Sequence, residues 1–432
     1  MHIRLAYGKT GLEIDLPDHM DVTVVEPSFV AGLPDPSSAL CEALRQPIGS
    51  SALVDSARPG GRIGIVFSDI TRPVPHRQIL HAVLQELRAV PGLDITLFNA
   101  LGTHRPNTQA ELRTMIGDDL VDGLRIVQND AFDTRTQVHC GATASGHEIW
   151  LNREFMECDL KILTGFIEPH MFAGFSGGGK AIMPGMAGQT TVLGNHDAAM
   201  LSSPAATWGV TAGNPVWEEM HEVALAAGPT FLVNVALNRD KEITGIFAGE
   251  LVAAHASGSD FVKRTAMAPV DSPFDVVVTS NSGYPLDLNL YQSVKGMSAA
   301  AQVVKQGGAI LVAAECWDGI PDHGLYSQLL RQAESPLALM EMIKAPGFLE
   351  QDQWQVQIQA QVQLKADVFV YSGNLTRAQI ESALLRYSER IESTIAELYR
   401  TYGPGARICV LPEGPQTIPY VRARASTAEA AP

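Results

Sequence analysis

Over its 432 residues the chain is 46% apolar and 18% charged, with 38 Gly and 26 Pro. That is the make-up of a globular α/β protein with a sizeable core, which excludes disordered and fibrous classes, and the length calls for two or three compact units. Asp and Glu number 47 against 31 Lys and Arg, a net charge of −16, which repels phosphate backbones and anionic membrane surfaces and argues against nucleic acid as a partner.

A small anionic substrate must then be drawn in by a local cationic site. The five cysteines, Cys41, Cys140, Cys158, Cys316 and Cys409, are odd in number and scattered, which argues against a disulfide framework and a zinc site. No apolar run reaches membrane length, and the amino terminus lacks a basic start followed by an apolar stretch. A cytoplasmic protein, neither secreted nor membrane-spanning, is expected.

Short apolar runs alternate with amphipathic segments, the pattern of βα units and a mostly parallel sheet. Strands are expected at 62–67, 94–101, 124–128, 159–163, 231–237 and 243–247, with helices at 75–90 and 108–116. The second helix opens on a Thr-x-x-Glu capping box, Thr108 to Glu111.

The Pro-rich AMAPVDSP at 266–273 marks a domain boundary, after which strands at 275–280, 309–314 and 367–371 and a helix near 291–304 form a new βα series. One long helix is expected over 377–402, stopped by Gly-Pro-Gly before a strand at 407–411. These divisions give an amino-terminal domain over 1–268, a carboxyl-terminal domain over 269–404, and a segment 405–432 that returns to the first domain and ends in a frayed tail.

Several strands run directly into loops dense with Gly, Pro and ionisable residues: SDITRPVP, LGTHRP, GFIEPHMFAGFSGGGK and SNSGYPLD. Sites in parallel sheets form beyond the carboxyl ends of strands, so these loops should converge on one cleft. GFSGGGK fits the phosphate-loop spacing, but Ala181 stands where a magnesium-binding hydroxyl is needed and Met183-Pro184-Gly185 interrupts a following helix. A phosphotransferase is therefore a weak reading. The glycines, Gly177 and Gly178 among them, instead suit a backbone closely approached by a bulky group, with Lys180 as anchor or nucleophile.

His104 and His170 each follow a strand. Inversion of a stereocentre needs a base on each face, and histidine titrates near neutrality. His196 is a candidate metal ligand, though alone it reads as a helix-start residue. Arg72 and Lys295 suit a carboxylate, Asp69 and Thr71 suit either a turn or a cofactor hydroxyl, and Trp317, His323 and Trp354 lie on further loops at the cleft edge.

Together SDITRPVP, LGTHRP, GFIEPHMFAGFSGGGKAIMPGMAG, GNHDA, GYPLD with YQSVKGM, and DQW resemble the lactate racemase family, in order and spacing from about residue 45 to 415. The resemblance implies two α/β domains with a cofactor in the cleft between them. It also implies a nickel-pincer nucleotide held covalently by Lys180, with His196 as the protein ligand to nickel. His104 and His170 would be the acid/base pair at C2 of a small 2-hydroxy acid, with hydride passing to the cofactor and back. Arg72 and Lys295 would orient the carboxylate, and Tyr291, Gln292 and Trp354 would line the pocket. Proteins that make and load the cofactor are implied partners.

Relatives with this catalytic set also act on malate-like, aromatic and sugar acids, and a non-catalytic cofactor carrier is the reading from a different class. One departure is Gly179, where the family commonly carries a larger residue.

Overall fold

The computed structural model describes residues 1–322 and 324–422. His323 and the tail beyond Arg422 lie outside the described residues. The chain divides into two compact units. One comprises Phe29–Thr265 and Pro346–Trp354; the other takes Met1–Ser28, Ala266–Ala345 and the chain from Gln355 onward.

In the first unit, six strands form one sheet: β1 (Arg62–Ser68), β2 (Asp94–Ala100), β3 (Arg125–Gln128), β4 (Leu160–Phe166), β5 (Thr230–Leu237) and β6 (Ile243–Gly249). Their spatial order is β6-β5-β4-β1-β2-β3, parallel throughout except between β5 and β6. The central strands are apolar runs because both faces are covered. All seven residues of β4 are buried, and Ile65 and Phe67 of β1 share a core with Ile79, Leu80 and Val83 of the helix His76–Leu87.

The helix Gln109–Ile116 starts as its sequence dictates. Thr108 Oγ1 accepts from Glu111 N at 3.2 Å, and Glu111 Oε2 accepts from Thr108 N at 2.7 Å.

The second unit holds another six-stranded sheet, wholly parallel, in the order Arg386–Tyr387, Ala366–Tyr371, Val304–Ala313, Phe274–Ser280, Arg407–Leu411, Asp21–Val24. The segment expected to return to the amino-terminal domain instead inserts here, pairing Ile408–Leu411 with Val276–Thr279. The first residues of the chain also belong here: Asp21–Val24 pairs with that same strand. Val276, Val278, Ile408 and Val410 share one core with Leu5 and Ile14.

The long helix expected over 377–402 is two helices, Arg377–Ser382 and Ile391–Tyr402, around the strand Arg386–Tyr387. Leu384 adopts a positive φ of 60°, and Phe369 and Val370 take Arg386 and Tyr387 as edge partners. Strand pairing outweighs the local helical pattern there. Gly403, with φ of 88°, does end the second helix.

Trp354 lies in the first turn of a helix, Gln353–Lys365, rather than in a loop. This helix alternates Gln with apolar residues, a period that suits a strand. Gln355, Gln357 and Gln359 are nonetheless buried, and Gln359 Nε2 reaches Ala383 O at 2.8 Å. Tertiary partners for the amides let the helix be buried on several sides. Among the described residues no helix is long and apolar enough to cross a membrane.

Candidate active site in the first unit

The sheet of the first unit reverses its building direction beside β1: β2 and β3 extend to one side, β4, β5 and β6 to the other. Loops leaving β1 and β4 therefore diverge at their carboxyl ends and open a crevice where ligands bind in such sheets. Asp69, Thr71 and Arg72 follow β1, His104 follows β2, and His170 follows β4.

Asp69 is 4% exposed and is hydrogen-bonded to Nδ1 of His104. Its Oδ1 accepts from the Thr71 backbone N–H at 3.0 Å and hydroxyl at 2.6 Å. Burial alone would raise this carboxyl. The adjacent His104, then Arg72 and the Thr71 hydroxyl, overcome that and hold it well below the ordinary carboxylate range. Asp69 and Thr71, read from the sequence as cofactor contacts, are thus engaged with His104 and with each other.

Beyond β4 the chain makes a tight hairpin in which Pro169 pairs with Phe175 and His170 with Gly174. Gly174 has φ of 71°, and a Cβ there would strike Val210 O. Ala173 N donates to His170 Nδ1 at 3.3 Å. The tip residue Phe172 is the hub of the site. Its ring stands edge-on to His170 with centroids 4.6 Å apart and to His196 at 5.0 Å, and Lys180 Nζ lies 5.7 Å from its centre. On its other side His196 meets Trp354 at 5.3 Å. His170, Lys180, His196 and Trp354 are therefore brought together.

Lys180 sits on a short 3-10 turn, Gly178–Ala181, with Nζ 4.0 Å from Met220 Sδ. The glycines before it are required by protein packing. Gly177 (φ 74°) lies against Asn234, and a Cβ on Gly178 (φ 54°) would come within 2.6 Å of the His255 ring. Gly178 N donates to Asn234 Oδ1 at 2.8 Å, so that amide is occupied, and the turn ends at Ala181 without continuing as a long helix. At Gly179 a Cβ would meet Ala224 Cβ at 3.0 Å, which accounts for a small residue at that position.

His196 caps the carboxyl end of the helix Gln189–Asn195 rather than starting one. Burial, and secondarily the Lys180 charge, push its pKa down to about 3, so the ring is neutral. Its Nδ1 is buried without a hydrogen-bond partner among the described residues. A neutral imidazole with an unused nitrogen is what a metal ligand requires. Among the described residues no group of three His, Cys, Asp or Glu gathers to hold a metal, so His196 would need its remaining donors from a bound cofactor.

Tyr291, Gln292 and Lys295 lie in the second unit on the helix Leu290–Ala301, capped by Asn289. Tyr291 and Lys295 are one turn apart on one face. Trp317, also in that unit, is 52% exposed, 6.4 Å from Tyr284.

Phe172, Met220, Asn234 and His255 were not singled out from the sequence. Asn234 carries a legible signal, a polar residue inside the apolar strand FLVNVAL. Phe172 carries none, since its role depends on how the hairpin and the turns bearing Lys180 and His196 fold around its ring.

Residues 7–209 match the lactate racemase N-terminal domain, and residues 270–418 match the lactate racemase C-terminal domain. The chain is 34% identical to a lactate racemase from Thermoanaerobacterium thermosaccharolyticum over 423 residues, 96% of this chain and 99% of that protein. It is 37% identical to a lactate racemase from Lactiplantibacillus plantarum over 376 residues, 86% of this chain and 88% of the relative.

The structure of the lactate racemase apoprotein from T. thermosaccharolyticum superposes with a TM-score of 0.91 at 33% identity, covering 98% of this chain and all of that one. A Thermotoga maritima protein at 17% identity shares the fold, with a TM-score of 0.71 over 91% of this chain and all of its own. With both domains matched and the identity sustained across nearly the whole length, this chain belongs to the lactate racemase family and is an isomerase of the racemase class.

Proposed function

We propose that the enzyme inverts C2 of a small 2-hydroxy acid, lactate first among them, with His104 and His170 as acid/base groups on opposite faces of the substrate. The observation that most supports this reading is that β2 and β4 flank β1. The loops bearing the two histidines thus leave on either side of the loop bearing Arg72. Two strand spacings separate the roots of those loops by roughly 10 Å, room for a three-carbon acid between two imidazoles.

With Asp69 ionised, Nδ1 of His104 keeps its proton on the carboxylate side. The Nε2 lone pair is then the atom that takes the substrate hydroxyl proton, and Asp69 stabilises the imidazolium that forms. His170 performs the same step from the other face, so either enantiomer meets a base. The Arg72 guanidinium clamps the carboxylate, and holding the planar keto acid in place prevents its escape before inversion.

Lys180 and His196 fit a nickel-pincer nucleotide: an amine on a half-buried turn for the covalent tether, and a neutral ring with an orphaned Nδ1 for nickel. Bound there, that group supplies a hydride acceptor for the C2 hydrogen. Its synthesis and loading require partner proteins. Five unpaired cysteines suit a reducing cytoplasm.

The test is chiral chromatography of D- and L-lactate, malate, aromatic and sugar 2-hydroxy acids incubated with enzyme made alongside the cofactor pathway. Either lactate enantiomer should converge on an equal mixture, with added mass on Lys180 and nickel near one per chain. Full racemisation by protein lacking both nickel and the adduct would overturn the reading. Cofactor loading without turnover of any acid would assign the chain as a carrier.

A further inference from the structure

The chain on both sides of His196 is held by a buried carboxylate and a partly exposed histidine that the reaction does not use. Glu219, on the helix Pro215–Ala226, is 4% exposed. His147 sits at the tip of the hairpin formed by Gln137–Ala142 and Glu148–Asn152. Nδ1 of His147 lies 2.9 Å from Glu219 Oε2.

The same carboxylate accepts from the Thr143 hydroxyl at 2.9 Å and, through Oε1, from Asn195 Nδ2 at 3.1 Å. Asn195 immediately precedes His196, is fully buried, and also donates to Val216 O at 3.1 Å. One residue earlier, a Cβ on Gly194 would come within 2.9 Å of the His147 side chain. One residue after His196, Asp197 Oδ2 stands 3.8 Å from His147 Nε2, while Oδ1 caps Met200 N at 2.7 Å.

Asn195 is thus bonded to Glu219, Asp197 faces His147 and Gly194 leaves no room for a side chain beside His147, while the His196 ring lies against Phe172 and Trp354. A carboxylate this buried is costly unless several donors satisfy it. Spending three of them on one hairpin tip and one helix end fixes the backbone from which the ring departs. Loss of the groups that orient a metal ligand typically costs about 10–100-fold in metal affinity.

We propose that Glu219, paired with His147, is a positioning residue that fixes how His196 presents its ring to a bound metal. This rests on His196 being the nickel ligand. The experiment uses protein produced with the cofactor pathway. It reads the mass added at Lys180, nickel per chain, the rate of nickel loss to excess EDTA, and the thermal midpoint.

Glu219→Ala should keep its fold and the Lys180 adduct but lose nickel at least tenfold faster. Glu219→Gln can still accept from Asn195 and should stay within threefold of the parent. His147→Leu, which leaves the helix Pro215–Ala226 intact, should also lose nickel at least tenfold faster and serves if Glu219→Ala does not fold. A folded Glu219→Ala or His147→Leu protein that holds nickel like the parent overturns the proposal, as does loss of the adduct together with nickel. His196→Ala separates the two ideas. If it loses nickel while the pair variants do not, only the positioning role falls; if it keeps nickel, the ligand assignment falls and the positioning role with it.

Discussion

Asp69 and His104, 35 residues apart, form a hydrogen-bonded pair in which the carboxylate is buried and the imidazole is about one-third exposed. The ionised carboxylate selects the tautomer of the ring, and so decides which nitrogen faces the crevice.

Replacing Asp69 with Asn keeps the shape and removes that selection. The Asp69→Asn enzyme should lose about 100-fold or more in kcat, within the usual contribution of general acid–base catalysis, with the Lys180 adduct intact by mass. Steady-state kinetics with either lactate enantiomer checks this. A loss below tenfold would show that the pair does not set the tautomer.

Substituting either histidine should halt inversion from both enantiomers, because one cycle needs a base on each face. His104→Asn and His170→Asn should each fall about 100-fold or more in kcat while retaining nickel. Chiral chromatography with metal analysis reads both quantities. An unimpaired variant would remove that residue from the proposed pair.

Gly178→Ala tests the packing behind Lys180. The new Cβ meets the His255 ring at 2.6 Å, and φ there is 54°, so overpacking and backbone strain should cost about 1–3 kcal/mol. Denaturant titration should show a lower midpoint at unchanged slope. A neutral substitution would mean that the loop shifts freely away from His255.

His76 and His255 are buried, and burial pushes the pKa of each down to about 4. Asp69 acts against this at His76; at His255 the Ser176 carbonyl opposes it and His221 reinforces it. Because the unfolded chain binds these protons near pH 6.5 and the folded chain does not, stability should fall as pH drops from about 6.5 to about 4. Each residue then costs about 3 kcal/mol at the low end. Unfolding free energies across that range should decline, and His255→Gln should make the decline shallower. A flat profile would contradict the neutral, buried state.

The sequence by itself determined the βα alternation, the start of the helix Gln109–Ile116 and the loops that bear His104, His170 and Lys180. Each of these is written in neighbours within a few residues: apolar period, a capping box, and clustered Gly and Pro after a strand. Only the tertiary structure decided the rest. Strand order created the crevice beside β1, and pairing drew Asp21–Val24 and Arg407–Leu411 into the second sheet.

Pairing with the strand Ala366–Tyr371 split the expected long helix, and carbonyl and hydroxyl partners let a Gln-rich segment stay helical and buried. Long-range contacts likewise gave Asp69 to His104 and brought His196 to the ring of Phe172. Hydrogen bonds and ring contacts between residues tens of positions apart leave no local periodicity, so only the assembled sheet and its loops express them.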